Sequence, residues 1–201
     1  LGDVYKRQDA DGTKHYAWID DPSKFSRSNT TYVGDLKYKD INGDGITEVP
    51  HPEPIPAWGN VGEDPCRRID WYTYTSDGTK AAVVSTYHSV EDGWYLRLPD
   101  VWKDQILITR TAGTEEVTVT FSYRGDSGEP PQDVLRITKL TGPSREIRAT
   151  RGGRIILRRQ METIYTAELL EANETWRHGL SEDELLEAFN LITQEWTTSD
   201  S

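Results

Sequence analysis

Nine consecutive residues, 40–48, carry acidic or amide side chains at regular intervals and glycine between them. Their sequence is Asp-Ile-Asn-Gly-Asp-Gly-Ile-Thr-Glu, with a carboxylate or amide at positions 1, 3, 5 and 9 and glycine at positions 4 and 6. The glycine at position 6 permits the sharp turn that brings such side chains to one centre. Because Ca²⁺ takes about six to eight oxygen ligands in a flexible shell, the spacing predicts a Ca²⁺-binding loop.

The predicted ligands are the side chains of Asp40, Asn42, Asp44 and Glu48 and the backbone carbonyl of Ile46. An alternative is an ion-free turn between two strands, because Asn, Asp and Gly also favour ordinary turns. Such turns seldom place every oxygen in the register of a calcium loop, so we favour the metal site, with Ca²⁺ as the one cofactor.

The same nine residues resemble the calcium loop of FG-GAP/VCBS repeats, which occur in integrin-type β-propellers of surface proteins. The resemblance implies Asp40, Asn42, Asp44 and Glu48 as side-chain ligands, with Glu48 in place of the commoner aspartate. EF-hands and dockerins begin in the same way, but their acidic ligand at position 12 would fall on His51. The resemblance covers only about residues 30–50, so it implies at most one blade of a propeller.

The chain from 65 to 165 alternates in the manner of β-strands separated by turns. Ser76-Asp77-Gly78 lies between two β-rich runs, which is a good hairpin signal. These features predict a twisted antiparallel sheet. The predicted strands are 69–75, 81–87, 93–98, 105–109, 117–123, 134–140, 155–159 and 163–167, with 28–38 and 46–49 beside the calcium loop.

The C-terminal segment has the pattern of a helix instead. Ser181 and Glu184 form the sequence signature of a capping box. Apolar residues then recur at helical spacing, which predicts a helix over 182–196 that packs on the sheet. These apolar residues are Leu185, Leu186, Phe189, Ile192 and Trp196. The predicted fold class is therefore α+β, an antiparallel sheet with a C-terminal packing helix, preceded by a fragment of a β-propeller-like repeat.

Four segments make up the predicted domain organisation. Residues 1–8 are expected to be a non-native leader, because Asp3 to Gln8 resemble a translated sequencing adapter, and natural sequence would then begin near Asp9. Residues 9–50 are a partial calcium-binding repeat. A proline-rich linker follows over 51–64, since proline disfavours helix in itself and in the preceding residue. Residues 65–201 form the α+β domain.

Composition excludes some classes of function. The chain has 201 residues and a formal net charge of −11, which argues against nucleic acid as a partner. Its single cysteine, Cys66, rules out an internal disulfide bond. No apolar run reaches the length of a membrane span. Residues 136–159 hold eight basic residues and one acid, Glu146. This stripe could recognise an anionic glycan or a lipid surface, but we favour outward strand positions balanced by C-terminal acids.

The search for a catalytic constellation finds no complete set. Gly125 to Pro130 resembles the nucleophile motif of trypsin-like serine proteases, with Ser127 as the nucleophile, but Glu129 stands where that family has glycine. His88 lacks the sequence context of that family's general base. A nucleophile without a placed base and acid is no triad. We therefore predict neither catalytic nor cofactor-binding residues, and no enzyme.

A second resemblance concerns residues 92–102, where an aromatic strand leads into a Pro-x-x-Trp turn, as in PsbP-like α/β/α domains. The whole chain also resembles uncharacterised bacterial lipoproteins. Together these resemblances imply an exported bacterial surface protein with a structural Ca²⁺ loop and a binding or scaffold domain. Its expected location is extracytoplasmic, either at the cell surface or lipid-anchored through sequence upstream. We expect a monomer whose partner is a cell-surface protein or glycan. The alternatives are a glycan-directed hydrolase and a small-ligand carrier.

Overall fold

The computed structural model describes residues 4–8, 14–18, 38–55, 67–75, 78–125 and 129–192. Its contacts divide the chain into two compact units, each of which is described by itself. The first unit comprises Leu1–Glu53, Arg68–Arg97 and Leu191–Ser201, and the second comprises Pro54–Arg67 and Leu98–Asn190. This division differs from the predicted domain boundaries, because each unit is assembled from separated stretches of the chain.

Twelve strands and three short helices are described. The strands are β1 (Val4–Gln8), β2 (Lys14–Trp18), β3 (Val49–Pro54), β4 (Arg67–Tyr74), β5 (Lys80–Ser89), β6 (Trp94–Leu98), β7 (Ile106–Ala112), β8 (Glu116–Tyr123), β9 (Gln132–Leu140), β10 (Ile155–Arg159), β11 (Ile164–Leu169) and β12 (Phe189–Leu191). The helices are α1 (Arg145–Ala149), α2 (Glu171–Thr175) and α3 (Glu182–Ala188). Single 3-10 turns lie at Val90–Asp92 and Asp100–Trp102.

The strands form three sheets. β1 and β2 make an antiparallel pair, and two five-stranded sheets have the orders β12-β6-β5-β4-β3 and β10-β11-β9-β8-β7. The described part of the chain is thus mostly antiparallel sheet with few helices, and it contains no propeller. None of its helices is long and apolar enough to cross a membrane.

β4 and β5 form the antiparallel hairpin that the sequence predicts. Their register runs from Arg68 opposite Tyr87 to Tyr74 opposite Lys80, with a shift between Trp71 and Tyr72. Ile69 and Trp71 of β4 are almost completely buried. These side chains pack with Ile41 and Tyr95 into the hydrophobic cluster of the first unit.

The first residues of the predicted linker belong to a strand, β3. Residues 51–54 were expected to be a spacer, but they belong to strand β3 at the edge of its sheet. Proline lacks the N–H that a central strand needs, and an edge strand has one side on which no donor is required. The remainder of the predicted linker lies outside the described residues, apart from Ile55. The predicted strand 28–38 lies outside them too, except for Tyr38.

The sheet of the second unit has β9 at its centre, with β8 and β11 as antiparallel neighbours. The central strand is the most deeply buried, since Val134, Leu135, Ile137 and Leu140 are inaccessible to solvent. Helix α1 contacts β9 and β11 through Ala149, which packs against the ends of those strands at Leu140 and Ile164.

The C-terminal helix is shorter than predicted. The capping box is confirmed, because the Ser181 hydroxyl accepts from the Glu184 N–H and the Glu184 carboxylate accepts from the Ser181 N–H. The helix ends at Ala188, however, and Phe189–Leu191 form strand β12 beside β6. The N–H of Ile192 donates to the carbonyl of Gly93. Pairing with an existing strand edge therefore overrides the helical spacing of the apolar residues, and Trp196 lies outside the described residues.

Candidate functional site

The loop of residues 40–48 is closed at its base by a two-way backbone contact. Lys39 N donates to the carbonyl of Glu48 at 3.1 Å, and Glu48 N donates to the carbonyl of Lys39 at 2.8 Å. This isolated antiparallel bridge brings the first and last positions of the predicted calcium loop side by side.

Asp40 is the centre of the loop's hydrogen bonding. Its Oδ1 accepts from the N–H groups of Gly43 (2.7 Å) and Asp44 (3.0 Å), and its Oδ2 accepts from Gly45 N (2.8 Å). The chain can wrap in this way because Gly43 and Gly45 have φ angles of 79° and 85°. A Cβ at either glycine would meet no atom within 4 Å, so the constraint is one of backbone conformation.

Asn42 and Asp44 continue the same network. The Asn42 Nδ2 donates to Asp44 Oδ2 at 2.9 Å, and the Asn42 Oδ1 accepts from the Asp44 N–H at 3.0 Å. Asp44 Oδ1 accepts from the N–H of Ile46 at 2.7 Å. The side chains at positions 1, 3 and 5 therefore all accept hydrogen bonds from backbone N–H groups of the same loop.

Glu48 is the unusual member of the set, because it is a fully buried carboxylate. Its Oε2 accepts from the N–H of Ile41 at 2.9 Å, whereas its Oε1 is buried and has no hydrogen-bond partner among the residues that the structure describes. Burial raises the pKa of Glu48 above its ordinary value near 4.5. The Ile41 N–H opposes this rise, and the negative charges of Asp44 and Asp40 add to it.

Ile41 fastens the loop to the sheet. Its side chain is buried and packs with Ile69, Trp71 and Tyr95. The loop consequently shares a hydrophobic cluster with strands β4 and β6 and does not hang free in solvent. The sequence could have predicted this contact, because an apolar isoleucine side chain between two ligand positions cannot coordinate an ion and gains by packing elsewhere.

Against this cluster lies a partly buried histidine that the sequence did not single out as structural. His88 stacks on Tyr95 with ring centroids 4.8 Å apart, and its Nε2 lies 2.9 Å from Thr86 Oγ1. The indole N–H of Trp71 donates to the same hydroxyl at 2.7 Å. Burial, with a smaller effect of Lys39, lowers the pKa of His88 to about 3. His88 is therefore a neutral core residue at physiological pH.

All five predicted ligands fall within the described residues, and the structure brings Asp40, Asn42 and Asp44 into one hydrogen-bonded network. Glu48 joins that loop through the N–H of Ile41, and the N–H of Ile46 binds Asp44. Across the described part of the chain, no three His, Cys, Asp or Glu side chains form a ready metal-holding group. Ser127, the nucleophile of the protease resemblance, lies outside that part.

The chemistry of the donors nevertheless fits Ca²⁺, since four oxygen-bearing side chains and one backbone carbonyl belong to a single short loop. Glu48 Oε1 is a buried oxygen that no hydrogen bond satisfies within the described residues. The set of ligands stays a prediction.

Comparison with protein-family models, with curated proteins and with solved structures finds no match for this chain. A functional assignment therefore depends on the residues described above.

Proposed function

We propose that residues 40–48 bind one Ca²⁺ ion and that this ion holds the loop in place on the sheet of the first unit. The observation that carries the proposal is Glu48 Oε1, a buried carboxylate oxygen without a hydrogen-bond partner. An ionised carboxylate is costly to bury unless it is paired, hydrogen-bonded or bound to a metal. A cation bound on the loop side would compensate this charge.

Charge repulsion within the loop supports the same conclusion. Asp40, Asp44 and Glu48 place three carboxylates within nine residues, and the first two raise the pKa of the third. Ca²⁺ supplies two positive charges, so its binding would turn this repulsion into attraction. Asp40, Asn42, Asp44 and Glu48 would hold it through side-chain oxygens and Ile46 through its carbonyl. Because the folded loop assembles the ligands, binding free energy becomes folding free energy.

We further propose a location outside the cytoplasm and a role in binding or scaffolding at the cell surface. For a structural site in an extracellular module the expected Kd for Ca²⁺ is about 10⁻⁴–10⁻³ M. Cytosolic sensors and buffers bind more tightly than that. The ion would thus be structural, and it would be present where Ca²⁺ is abundant.

Calorimetric titration tests the ion directly. The full chain, freed of Ca²⁺ with a chelator and dialysed, is expected to bind one equivalent of Ca²⁺. Asp40→Ala and Asp44→Ala are expected to lose that heat. Asp104→Ala removes an exposed aspartate outside the loop and is the matched control, which should titrate like the parent. Absence of binding heat in the parent chain, or unchanged heat in both loop variants, would refute the proposal.

The alternative functions stay predictions, and each has its own test. Turnover of a cell-wall or dietary glycan by the purified chain would establish the hydrolase, and co-purification of a bound lipid or small molecule would establish the carrier. Neither result would affect the calcium proposal, because the ion is proposed as a structural element of the first unit.

A further inference from the structure

Asn42 and Gly43 are a pair of residues that can react with each other. The side-chain amide of an asparagine can be attacked by the backbone nitrogen of the next residue, and glycine hinders this attack least because it has no side chain. Asn42 is the one asparagine of the chain that glycine follows. Both residues are exposed, so water can reach them. The pair therefore meets the chemical requirements for deamidation.

The loop places a base on the attacking nitrogen. The N–H of Gly43 donates to Asp40 Oδ1 at 2.7 Å. The nitrogen has to give up this proton when it attacks a carbonyl carbon, and a carboxylate within hydrogen-bond distance can accept it. Asp40 is thus positioned as the general base for Gly43.

The loop also contacts both ends of the amide that would be attacked. Asn42 Oδ1 accepts from the Asp44 N–H at 3.0 Å, a turn that folds the side chain back over the Gly43 nitrogen. Negative charge develops on Oδ1 during the attack, and this N–H, which is shared with Asp40 Oδ1, would stabilise it. Asn42 Nδ2, the leaving group, donates to Asp44 Oδ2 at 2.9 Å.

We propose that Asn42 is a self-modifying site, at which Asp40 assists deamidation through a succinimide. The Gly43 nitrogen passes its proton to Asp40 and bonds to Asn42 Cγ. The bond from Cγ to Nδ2 breaks, Asp40 returns the proton through solvent to Nδ2, and ammonia leaves. Water then opens the succinimide at either carbonyl, which produces aspartate or isoaspartate at residue 42. One water is consumed and one ammonia is released, with no oxidant or cofactor.

The modification would alter the calcium loop, a consequence that rests on the proposed function. Isoaspartate inserts a methylene into the main chain after residue 42, which displaces Asp44 and the later ligands from their register. We expect this product to lose Ca²⁺. Bound Ca²⁺ would in turn occupy the Asp40 carboxylate and Asn42 Oδ1, so the ion would slow the reaction. The site would then modify itself when Ca²⁺ is absent.

The folded loop and the bare sequence pair predict different rates. Any unfolded chain lets Asn42 and Gly43 react, and a folded loop without assisting groups slows the reaction because it restrains the backbone. Asp40 and the Asp44 N–H supply a base and a donor that an unfolded chain does not hold in place. The ratio of folded to unfolded rates therefore separates assistance by the structure from the reactivity of the pair.

Peptide mass spectrometry of the full chain measures this ratio. Samples are incubated at neutral pH with a chelator, either folded or unfolded in guanidinium chloride, and the conversion of Asn42 is followed over time. The folded chain is expected to react about tenfold faster. Asp40→Asn keeps a hydrogen-bond acceptor and removes the base, so it should lose about tenfold of the folded rate. Asn190, which leucine follows, is the internal control and should stay unconverted.

Asp104→Asn is the matched control, because it changes an exposed aspartate outside the loop in the same way. Its Asn42 should convert like that of the parent. A folded chain that reacts more slowly than the unfolded chain would overturn the proposal without any variant. An unchanged folded rate in Asp40→Asn would overturn it too.

A parallel incubation with Ca²⁺ keeps the two proposals apart. Slower conversion with Ca²⁺ than with chelator supports both the modification and the ion. Conversion that depends on Asp40 but not on Ca²⁺ would support the modification and contradict an ion at these ligands. Conversion that depends on neither would contradict the modification itself.

Discussion

The N–H of Ile41 donates to Glu48 Oε2 at 2.9 Å, while the second oxygen of the same carboxylate is buried without a hydrogen-bond partner. One hydrogen bond to a charged group contributes a few kcal/mol at most, and the other oxygen is left without compensation. The side chain of Ile41 is held in the hydrophobic cluster of the sheet. Ile41 therefore holds the Glu48 carboxylate beside the other oxygen-bearing side chains of the loop, with only one of its two oxygens hydrogen-bonded.

Removing the Asp40 carboxylate should weaken the loop even without Ca²⁺. Asp40→Ala leaves the N–H groups of Gly43 and Gly45 without an acceptor and the Asp44 N–H with Asn42 Oδ1 alone, although water can reach an exposed loop. We expect a loss of about 1 kcal/mol in the free energy of unfolding, measured by urea titration in the presence of a chelator. Asn42→Ala removes an acceptor for one N–H and should cost less. An equal or larger loss for Asn42→Ala would show that Asp40 does not organise the loop.

His88 should make the chain sensitive to acid. The pKa of this buried side chain is lowered to about 3, from an ordinary value of 6.5. Between these two pH values the unfolded chain binds a proton that the folded chain does not, so the free energy of unfolding falls as the pH falls. The expected slope from this one group is at most about 1.4 kcal/mol per pH unit.

Replacing His88 with phenylalanine separates this effect from the titration of carboxylates. His88→Phe keeps an aromatic ring against Tyr95 and removes the titrating group. Its unfolding free energy should therefore decline less steeply than that of the parent as the pH falls from 6.5 toward 3. Parallel pH profiles for parent and His88→Phe would contradict the burial of a neutral histidine.

Gly179 should tolerate no side chain. A Cβ at this residue would lie 1.9 Å from the backbone carbonyl oxygen of Asn173, which cannot move aside cheaply. Asn173 in turn holds Leu180 through two hydrogen bonds of 2.8 Å, and these fix the connection from α2 to α3. We expect Gly179→Ala to lower the free energy of unfolding by more than about 2 kcal/mol.

Gly153→Ala is the comparison for this prediction. Gly153 has a φ of 71° and open space around a Cβ, so alanine there should cost only the backbone strain, about 1 kcal/mol. Urea titrations of the two variants would measure the difference. Equal losses would mean that the close approach of Gly179 to Asn173 does not exist.

Much of the fold could be predicted because strand signals are local. Six strands coincide closely with predicted ones: β4, β5, β8, β9, β10 and β11. The capping box was predictable from Ser181 and Glu184 alone. The point at which the C-terminal helix ends could not be predicted from the sequence. Phe189 and Ile192 fit a helical face as well as they fit a strand, and the deciding interaction is the pairing near Gly93, far away in sequence.

The candidate site was predictable in its residue types but not in its burial. Spacing alone predicts the ligand set, because the glycines determine how the loop turns; its members are Asp40, Asn42, Asp44, Ile46 and Glu48. That Glu48 is fully buried depends on where Ile41 packs, which is a tertiary contact with β4 and β6. The lowered pKa of His88 likewise depends on surroundings brought from several strands. The periodicity of the sequence predicts neither the burial of Glu48 nor the pKa of His88.

The most direct test compares the stability of the parent chain and of Glu48→Gln with and without Ca²⁺. Glutamine keeps an acceptor for the Ile41 N–H and removes the uncompensated charge, so the variant should be at least as stable as the parent in chelator. In 10 mM Ca²⁺ the parent should gain about 1.4–2.7 kcal/mol in the free energy of unfolding, for Kd about 10⁻³–10⁻⁴ M. Glu48→Gln should gain little. Equal gains in both proteins, or no gain in the parent, would contradict a Ca²⁺ ion bound at Glu48.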